Sequence, residues 1–498
     1  MKSKILSEAR DYEAEEIKKI NIGEKPTFHL AAPVGWINDP NGFSVFQKEY
    51  HLFYQYHPYS SKWGPMHWGH SKTKDFIQWE QLPVALAPDE SYDSAGCFSG
   101  SAIEEDGQHV LVYTGVIEER SKHRLERVQQ LQCIAMGNGI DYKKLECNPI
   151  LTADMISESI SEADFRDPKI WKHGSEFYMV VSCCNSEKNG EIALLTSSDL
   201  KQWTFQNMLV KNDGTYGKMW ECPDFFELSN QYVLLTSPQK MKADGLEFHS
   251  GDGTIYFVGQ FDYHTGIFQH GVAKQIDYGF DFYAPQTTKA MDGRQIMIAW
   301  MHSWDNEIKL EEQKWNGIMT IPREIELRDG KLFQNPVREI AQYYNNKVEF
   351  VQHHMSGSME LEGIRGRELD LEITVCEGAY EFFEVQLAKN EKHKTVCRYE
   401  SKTGILTFDR MYSGICRDIV SVRKLQISPG GEEIKIRILL DKYSVELFVN
   451  DGAYAFSSLL YVPAEAQDIN FFVQGELTAH IVKHDIRIVD KAQIGEEV

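Results

Sequence analysis

Three carboxylate residues stand in similar local surroundings. Asp39 lies in GWINDPNG, Asp167 in FRDPKIW and Glu221 in WECPDFF, so each has a proline and an aromatic residue close by. Such a set could cleave a glycosidic bond, because one carboxyl group protonates the leaving oxygen while a second attacks the sugar or activates water. A third can stabilise positive charge on the ring or bind its hydroxyls. Neighbouring aromatic rings can stack on sugar faces and raise the pKa of the acid by desolvation.

Each residue taken alone has a simpler interpretation. Asp39 can form an Asx turn with the proline and asparagine that follow it. Asp167 can form a structural ion pair with a neighbouring arginine, and Glu221 can simply end a strand. What favours chemistry is the recurrence of the three residues at one position of a repeated pattern.

Five short apolar runs recur at nearly even intervals along the chain. They are HLFYQ from His51, VLVYT from Val110, FYMVV from Phe177, YVLLT from Tyr232 and IMIAW from Ile296. Their starts lie 55 to 67 residues apart, and Gly, Asn, Asp and Pro bound the runs. An even step filled with short strands indicates radial repetition, and a four-stranded blade fits a step of about 60 residues. The sequence therefore predicts an all-β fold that contains a five-bladed β-propeller.

A polar motif precedes each apolar run by 10 to 13 residues. The residues at this position are Asp39, Ser99, Asp167, Glu221 and Tyr283. If the position lies on the innermost strand of each blade, all five side chains face one central channel. We therefore expect the three carboxylates to meet there.

The two ends of the chain differ from the repeated part. Residues 1–26 predict a short, charged, amphipathic helical segment. The propeller is predicted over 27–343 as the catalytic domain. Residues 344–498 contain alternating apolar runs and a hairpin turn at Asn450-Asp451-Gly452, which predict a C-terminal β-sandwich. No catalytic constellation stands out in this last part, so structural support is its expected role.

Composition excludes several classes of partner. With 52 basic and 74 acidic residues the net charge is −22, which disfavours nucleic acid and anionic membrane surfaces. The charged first residues are expected to form a helix rather than a signal peptide, and no apolar run in the sequence is long enough to span a membrane. Nine cysteines without a metal-ligand array predict reduced, buried thiols and a cytoplasmic location. A homo-oligomer is compatible with the sequence, which reveals no interface.

Other chemistries lack their motifs. HSGDGT has no phosphate-loop spacing, the histidines have no convincing metal spacing, and no G-x-S-x-G elbow is present. We therefore expect no metal and no organic cofactor, and a small-molecule sugar as substrate.

At these motifs the sequence strongly resembles glycoside hydrolase family 32, which comprises invertases, sucrose-6-phosphate hydrolases and fructan hydrolases. The motifs GWINDPNG, KWGPMHWGH, GCFSGSA, FRDPK, WECPDFF, DFYAPQ and IPRE occur in the order of the family, and LLDKYSVELFVNDG resembles its sandwich motif. One departure is Ile37, which stands where the family commonly has methionine. The resemblance covers nearly the whole chain and implies a five-bladed propeller followed by a sandwich.

The resemblance also implies residue roles in a retaining β-fructofuranosidase. Asp39 would be the nucleophile, Glu221 the general acid/base and Asp167 the transition-state stabiliser. Eight further residues would bind the fructosyl unit: Asn38, Gln55, Trp63, Phe98, Ser99, Arg166, Tyr283 and Trp300. Retention requires the two reacting carboxyl groups to lie about 5–5.5 Å apart.

Several alternatives stay open at this point. An inverting five-bladed arabinofuranoside-type glycosidase would need a wider gap of about 6.5–9.5 Å, and a sugar-binding propeller would need no turnover. The sequence does not separate hydrolysis from fructosyl transfer. It also does not choose among sucrose, sucrose-6-phosphate, kestose and longer fructans. A phosphate would require basic residues, and the candidates are Lys240, Lys242, Arg120, Lys122, Arg124 and Arg127.

Overall fold

The apolar runs form β-strands throughout the chain. A computed structural model describes residues 3–121, 124–305, 313–414, 419–427 and 433–488. One α-helix, Lys4–Ile17, precedes the strands, and 3-10 helices occupy Ile22–Glu24, Ala153–Met155 and Arg338–Tyr343. No helix in the described ranges is both long and apolar enough to cross a membrane.

The N-terminal helix is amphipathic, as predicted. The Ser3 hydroxyl caps it by accepting a hydrogen bond from the Leu6 amide at 3.1 Å. Leu6 and Ala9 are buried against the first blade, and the Arg10 guanidinium donates to the Val84 carbonyl at 2.8 Å. The helix therefore supports the outer strand of that blade.

Five antiparallel sheets form the blades of a propeller, which confirms the predicted fold class. Blade 1 contains Gly35–Phe46, Glu49–His57, His67–Thr73 and Trp79–Leu86. Blade 2 contains Gly96–Glu105, Gln108–Ser121, Arg124–Gly137 and Tyr142–Lys144. Blade 3 contains Phe165–His173, Glu176–Cys184, Gly190–Ser197 and Thr204–Lys211. Blade 4 contains Trp220–Leu228, Gln231–Pro238, Ile255–Asp262, Ile267–His270 and Lys274–Gln275. Blade 5 contains Tyr283–Lys289, Gln295–Trp300, Arg323–Arg328 and Lys331–Pro336.

The first strand of each blade is the innermost one. Each first strand contacts the first strands of the two neighbouring blades, so the five enclose the channel. The short strand Trp315–Asn316 pairs in parallel with Gly35 and Trp36 of blade 1. This pairing ties the chain after blade 5 to the start of the propeller and closes the ring.

Every innermost strand carries a β-bulge at the polar motif. The pairing register with the second strand shifts between Ile37 and Pro40, Phe98 and Gly100, Arg166 and Lys169, Glu221 and Asp224, and Tyr283 and Gln286. Three residues at these bulges have positive φ: Asp167 at 65°, Cys222 at 49° and Ala284 at 51°. A bulge redirects a side chain that regular alternation would place elsewhere, so the same irregularity in five blades turns five polar motifs towards the channel.

The C-terminal part is a sandwich built from one folded sheet. Its strands are Tyr344–Met359, Leu369–Lys389, Lys394–Glu400, Ile405–Tyr412, Val422–Gln426, Ile434–Asp441, Ser444–Val449, Tyr454–Leu459 and Asp468–Ile486. The long strand Leu369–Lys389 pairs with Ile434–Asp441 through its first half and with Lys394–Glu400 through its second half. Both halves contribute to one apolar core, which includes Leu371 and Val385.

A buried ionic network joins the propeller to the sandwich. The Arg323 guanidinium, in the propeller, donates to Asp277 Oδ2 at 3.0 Å and to both Glu446 and Ser457 of the sandwich. The His29 ring lies between Asp441 Oδ2, at 2.8 Å, and Glu446 Oε1, at 2.9 Å. These side chains are almost completely buried, so the junction is fixed by paired charges rather than by apolar contact alone.

Candidate active site

Asp39 is held by donors from three blades. Its Oδ1 accepts a hydrogen bond from the Asn38 amide at 3.1 Å, and its Oδ2 accepts one from the Ser99 hydroxyl at 2.8 Å. The thiol of Cys222 donates to Oδ2 at 3.5 Å. Burial raises the pKa of Asp39 above its ordinary range, the charge of Glu221 raises it further, and the three donors oppose the rise. The carboxylate is therefore oriented but poorly solvated, as suits a nucleophile.

The residues before Asp39 anchor its strand. Trp36 and Ile37 are buried, and the Trp36 indole donates to Asn38 Oδ1 at 2.8 Å. Asn38 in turn donates to Asp39. The tryptophan in front of this turn thus holds the amide that orients the carboxylate.

Glu221 accepts hydrogen bonds on both of its oxygens. The Arg166 guanidinium donates to Oε1 from Nε at 3.2 Å and from Nη2 at 3.0 Å. The Tyr283 hydroxyl donates to Oε2 at 2.5 Å, and the Gln239 amide donates to the same oxygen at 2.9 Å. A two-pronged guanidinium together with two neutral donors fixes the plane of the carboxylate.

The charges of the other two carboxylates both act on Asp167. Its Oδ2 accepts from the Cys222 amide at 2.9 Å and lies 3.9 Å from Nε of Arg166. Burial raises the pKa of Asp167 to about 7; the charges of Glu221 and Asp39 add to the rise, and Arg166 and the Cys222 amide oppose it. The three acidic groups therefore share one electrostatic environment.

Arg166 counterbalances this negative charge. It is 8% exposed, and its Nη1 donates to Gln130 Oε1 at 3.1 Å and to Asp164 Oδ1 at 3.2 Å. Burial alone would lower the pKa of Arg166, but the carboxylates of Glu221, Asp167 and Asp164 raise it. The guanidinium stays charged and cannot act as an acid, so its role is to orient and stabilise.

Gln55, Phe98 and Trp63 extend the site from blades 1 and 2. The Gln55 amide donates to the Ser99 hydroxyl at 2.9 Å, so Ser99 directs its own proton to Asp39. Trp63 is 49% exposed and packs edge-on against Phe98, with ring centroids 6.1 Å apart. These two rings form an aromatic rim beside the carboxylates.

Tyr283 and Trp300 occupy different depths on blade 5. The Tyr283 hydroxyl reaches Glu221, and burial, together with the charge of Glu221, raises the pKa of this tyrosine so that it stays a donor. Trp300 is completely buried and stacks on His302 at 4.9 Å. Its ring also meets Trp36 edge-on at 5.8 Å. Trp300 therefore supports the site from behind, through Trp36.

Sequence reasoning missed two residues that contact the carboxylates. Cys222 bridges Asp39 and Asp167 through its thiol and its amide, and Gln239 holds Glu221. The signal for Cys222 was its place directly after Glu221 in WECPD. Gln239 directly follows the second strand of blade 4, whose last residue, Pro238, pairs with Trp220, and this register brings Gln239 beside Glu221.

The geometry suits cleavage of a sugar linkage. Asp39 and Glu221 come from innermost strands of different blades, and the Cys222 and Arg166 contacts connect both to Asp167. Fixed negative groups that line a channel favour a transition state with positive charge on the sugar ring. The aromatic rim offers a stacking surface for a sugar.

Comparison with known proteins decides the family. The sequence model of the glycosyl hydrolases family 32 N-terminal domain matches residues 29–336, and that of the family 32 C-terminal domain matches residues 339–489. The chain belongs to glycosyl hydrolase family 32. As a member of this family it is a glycoside hydrolase, which confirms the enzyme class predicted from the motifs.

Relatives align with the chain along nearly its whole length. The raffinose invertase of Escherichia coli is 36% identical over 451 residues, which cover 90% of this chain and 91% of that protein. The sucrose-6-phosphate hydrolase of Bacillus subtilis is 32% identical over 463 residues, with 90% and 92% covered. The solved GH32 β-fructofuranosidase of Bombyx mori superposes with a TM-score of 0.83 at 34% identity, covering 97% of this chain and 98% of that one. A mutant of the Bombyx mori enzyme, at 33% identity, with the same TM-score and 98% and 99% covered, was solved in complex with sucrose.

Proposed function

We propose that this family 32 hydrolase is a retaining β-fructofuranosidase, which cleaves the terminal β-D-fructofuranosyl bond of sucrose or short fructo-oligosaccharides. The observation that carries the proposal is the pair of fixed carboxylates, Asp39 and Glu221, with Arg166 bound to the second. The relatives support the substrate class, since they include an invertase, sucrose-6-phosphate hydrolases and a β-fructofuranosidase with sucrose bound.

The proposed reaction has two steps. In the first, Asp39 attacks the anomeric C2 of the fructosyl unit while Glu221, in its protonated form, donates its proton to the departing oxygen. The C2–oxygen bond breaks, and a fructosyl ester on Asp39 forms. In the second, the Glu221 carboxylate takes a proton from water, the water oxygen attacks C2, and the ester bond to Asp39 breaks. Two inversions at C2 give overall retention.

Asp167 and Arg166 are proposed to serve the transition state. Asp167 would accept hydrogen bonds from fructosyl hydroxyls, and these bonds strengthen as positive charge develops on the ring. Arg166 would keep Glu221 in the orientation needed for proton transfer, since it donates two hydrogen bonds to one oxygen of that carboxylate.

Five of the remaining predicted residues are proposed to bind the fructosyl unit. Asn38, Gln55 and Ser99 supply polar groups on the Asp39 side, and Trp63 and Phe98 supply the apolar rim. A sugar with hydroxyls around its edge and an apolar face matches such a lining. The cytoplasmic location and the homo-oligomer stay predictions from the sequence.

The proposal is tested with sucrose in the presence of methanol. We expect release of glucose together with methyl β-D-fructofuranoside, identified by NMR, because methanol would intercept the ester on the same face as water. Formation of the α-anomer would indicate inversion and refute the ester. Failure to release glucose or fructose from sucrose, kestose and inulin would refute the assigned substrate class.

A further inference from the structure

The innermost strands make a second set of polar contacts just beyond the three carboxylates. On blade 3, Lys169 follows Asp167 by two residues, and on blade 4, Asp224 follows Glu221 by three. A strand rises about 3.3 Å per residue, so Lys169 and Asp224 lie at the next level along the channel. No step of the proposed reaction uses either of these two residues.

The Lys169 side chain crosses the channel from blade 3. Its Nζ lies 3.0 Å from Asp224 Oδ1 on blade 4 and donates to the Thr287 carbonyl of blade 5 at 2.9 Å. Blade 4 separates blades 3 and 5 in the ring, so the contact with Thr287 passes through the interior of the channel. One side chain therefore connects the innermost strands of three blades.

Asp224 is the acceptor in this set of contacts. It is completely buried, and its Oδ2 accepts from the Thr287 amide at 2.5 Å while its Oδ1 faces Lys169. Burial raises the pKa of Asp224, and the charge of Lys169 and the hydrogen bond from Thr287 oppose the rise. A buried carboxylate is strongly destabilising without its cation, so the two side chains depend on each other.

Lys169 differs from the basic residues that the sequence offered for binding a phosphate. Its side chain is only 12% exposed and its charge is paired inside the propeller. Lys122 lies outside the described residues. The other candidates all have exposed side chains: Arg120, Arg124, Arg127, Lys240 and Lys242.

The strands that carry Asp167 and Glu221 are linked to each other at two levels. At the level of the carboxylates, the Cys222 amide donates to Asp167 Oδ2 at 2.9 Å. At the second level, the pair of Lys169 and Asp224 joins the same two strands. One link would let the strands pivot, whereas two links fix both their spacing and their relative orientation.

The backbone between the two levels is held in an uncommon conformation. Asp167 has a φ of 65° and Cys222 a φ of 49°. Residues other than glycine rarely adopt such values, which persist where surrounding contacts impose them. On blade 3, the Thr114 hydroxyl accepts from the Asp167 amide at 2.9 Å on one side, and the contacts of Lys169 follow on the other. These contacts together keep the Asp167 carboxylate turned into the channel.

Proline makes the step from one level to the next stiff. Pro168 directly precedes Lys169, and Pro223 directly precedes Asp224. Proline has a fixed φ and restricts the residue before it. A displacement of Lys169 is therefore passed along the strand to Asp167.

The other blades are joined at the second level without this charged pair. The Gln286 amide of blade 5 donates to the Gly100 carbonyl of blade 2 at 2.7 Å, and its oxygen accepts from the Phe43 amide of blade 1 at 3.4 Å. Neither contact involves Lys169 or Asp224. The ring should therefore stay assembled when the pair is removed.

We propose that Lys169 and Asp224 are positioning residues, which hold Asp167 in the orientation that the transition state requires. The pair acts through the backbone of blades 3 and 4 and not through contact with the sugar. The inference rests on the proposed fructofuranosidase function, because Asp167 is assigned to the transition state only in that reaction. Loss of an interaction that is used in the transition state lowers kcat rather than raising KM.

The test measures kcat and KM for sucrose in Lys169→Met, with urea unfolding followed in parallel. We expect kcat to fall about tenfold to a hundredfold and KM to change less than about threefold, because small misplacements of a positioned group are costly. Lys169→Gln keeps a donor for the Thr287 carbonyl without the charge, so it supplies the same reading if the methionine variant does not fold. Lys172→Met removes an exposed cation of the same strand, paired with Glu105, and should leave both constants unchanged.

A double-mutant cycle with Asp167→Asn separates positioning from a general loss of structure. If Lys169 acts through Asp167, adding Lys169→Met to the Asp167→Asn variant should lower kcat by less than about twofold. An equal loss in both backgrounds would overturn the inference, and so would a lower urea midpoint with unchanged kcat. In both cases fructose release by the unchanged enzyme would uphold the proposed function. If the unchanged enzyme releases no fructose from sucrose, the proposed function and this inference both fail.

Discussion

Removing the Ser99 hydroxyl tests how the site controls Asp39, the proposed nucleophile. Ser99→Ala deletes one of three donors to Asp39, the hydroxyl at 2.8 Å, and leaves those of Asn38 at 3.1 Å and Cys222 at 3.5 Å. Since burial and the charge of Glu221 already raise the pKa of Asp39, and the Ser99 hydrogen bond opposes that rise, the pKa should increase further in the variant.

The expected size follows from the strength of one hydrogen bond to a charged group. Such a bond contributes about 1.5–3 kcal/mol. The remaining donors compensate in part, so we expect about 1.4 kcal/mol, equivalent to about one pH unit. Asp39 must be ionised to attack, so its pKa sets the acidic limb of kcat/KM. The midpoint of this limb should rise by about one pH unit. At pH values below the limb, the ratio of kcat/KM between the unchanged enzyme and the variant should increase about tenfold.

The assay is fructose release from sucrose, with kcat/KM measured from pH 4 to pH 8. Because the carboxylates titrate together, the acidic limb gives an apparent pKa of the group and not of Asp39 alone. The quantity to compare is therefore the difference in the midpoint of this limb between the unchanged enzyme and the variant. Ser101→Ala is the matched control, because Ser101 lies on the same strand and its hydroxyl donates to the Pro168 carbonyl at 2.7 Å and not to Asp39. A uniform fall of kcat/KM with an unmoved limb would refute the reasoning and leave Ser99 as a substrate contact only.

Three further predictions concern catalysis and the domain junction. Asp39→Asn should lower kcat on sucrose at least about a thousandfold, because no ester can form; near-normal turnover would remove the nucleophile assignment. Arg323→Met should lower the free energy of unfolding by about 3–5 kcal/mol in urea titrations, since it leaves Asp277 buried without its cation and leaves Glu446 paired with His29; an unchanged urea midpoint would contradict this. Burial alone would lower the pKa of His29, but hydrogen bonds to two carboxylates raise it from 6.5 to about 9. The resulting stabilisation, about 3 kcal/mol, should be complete below pH 6.5 and disappear as the pH rises through 9. His29→Gln should make the free energy of unfolding nearly independent of pH in this range. Parallel pH profiles of the variant and the unchanged protein would show that the histidine does not cause the pH dependence.

The even spacing of the repeats predicted the channel, because each repeat of a propeller forms one blade around a common axis. One motif per blade, 10 to 13 residues before the apolar run, became one residue per innermost strand. What the period could not predict is the bulge in each of these strands, which depends on pairing register and on positive φ at Asp167, Cys222 and Ala284. Registers are set by contacts between strands, and a single sequence does not reveal them.

The same limit explains the residues that were missed. Gln239 reaches Glu221 across two paired strands, and the Cys222 thiol reaches Asp39 from another blade. The spacing of the residues along the sequence does not predict either contact. Motif reasoning therefore found the three carboxylates that the structure brings together, whereas the residues that orient them required the assembled fold.

The sandwich contributes to the site through the segment that precedes Tyr283. The Ser457 amide donates to Asp277 Oδ1 at 2.9 Å, and the Ser457 carbonyl accepts from the Phe280 amide at 2.9 Å. Asp281 accepts from the Leu459 amide at 2.8 Å. These contacts fix residues 277–281 against one edge of the sandwich, two residues before the innermost strand of blade 5 begins at Tyr283.

Because the Tyr283 hydroxyl is 2.5 Å from Glu221 Oε2, any shift of that strand would be passed to Glu221, the proposed general acid/base. The sandwich thus positions this carboxylate through one short segment. The buried ionic network at the same junction makes the positioning rigid, since Arg323 binds Asp277 on the propeller side and Glu446 on the sandwich side. This arrangement gives a physical reason for the two domains to act as one catalytic unit.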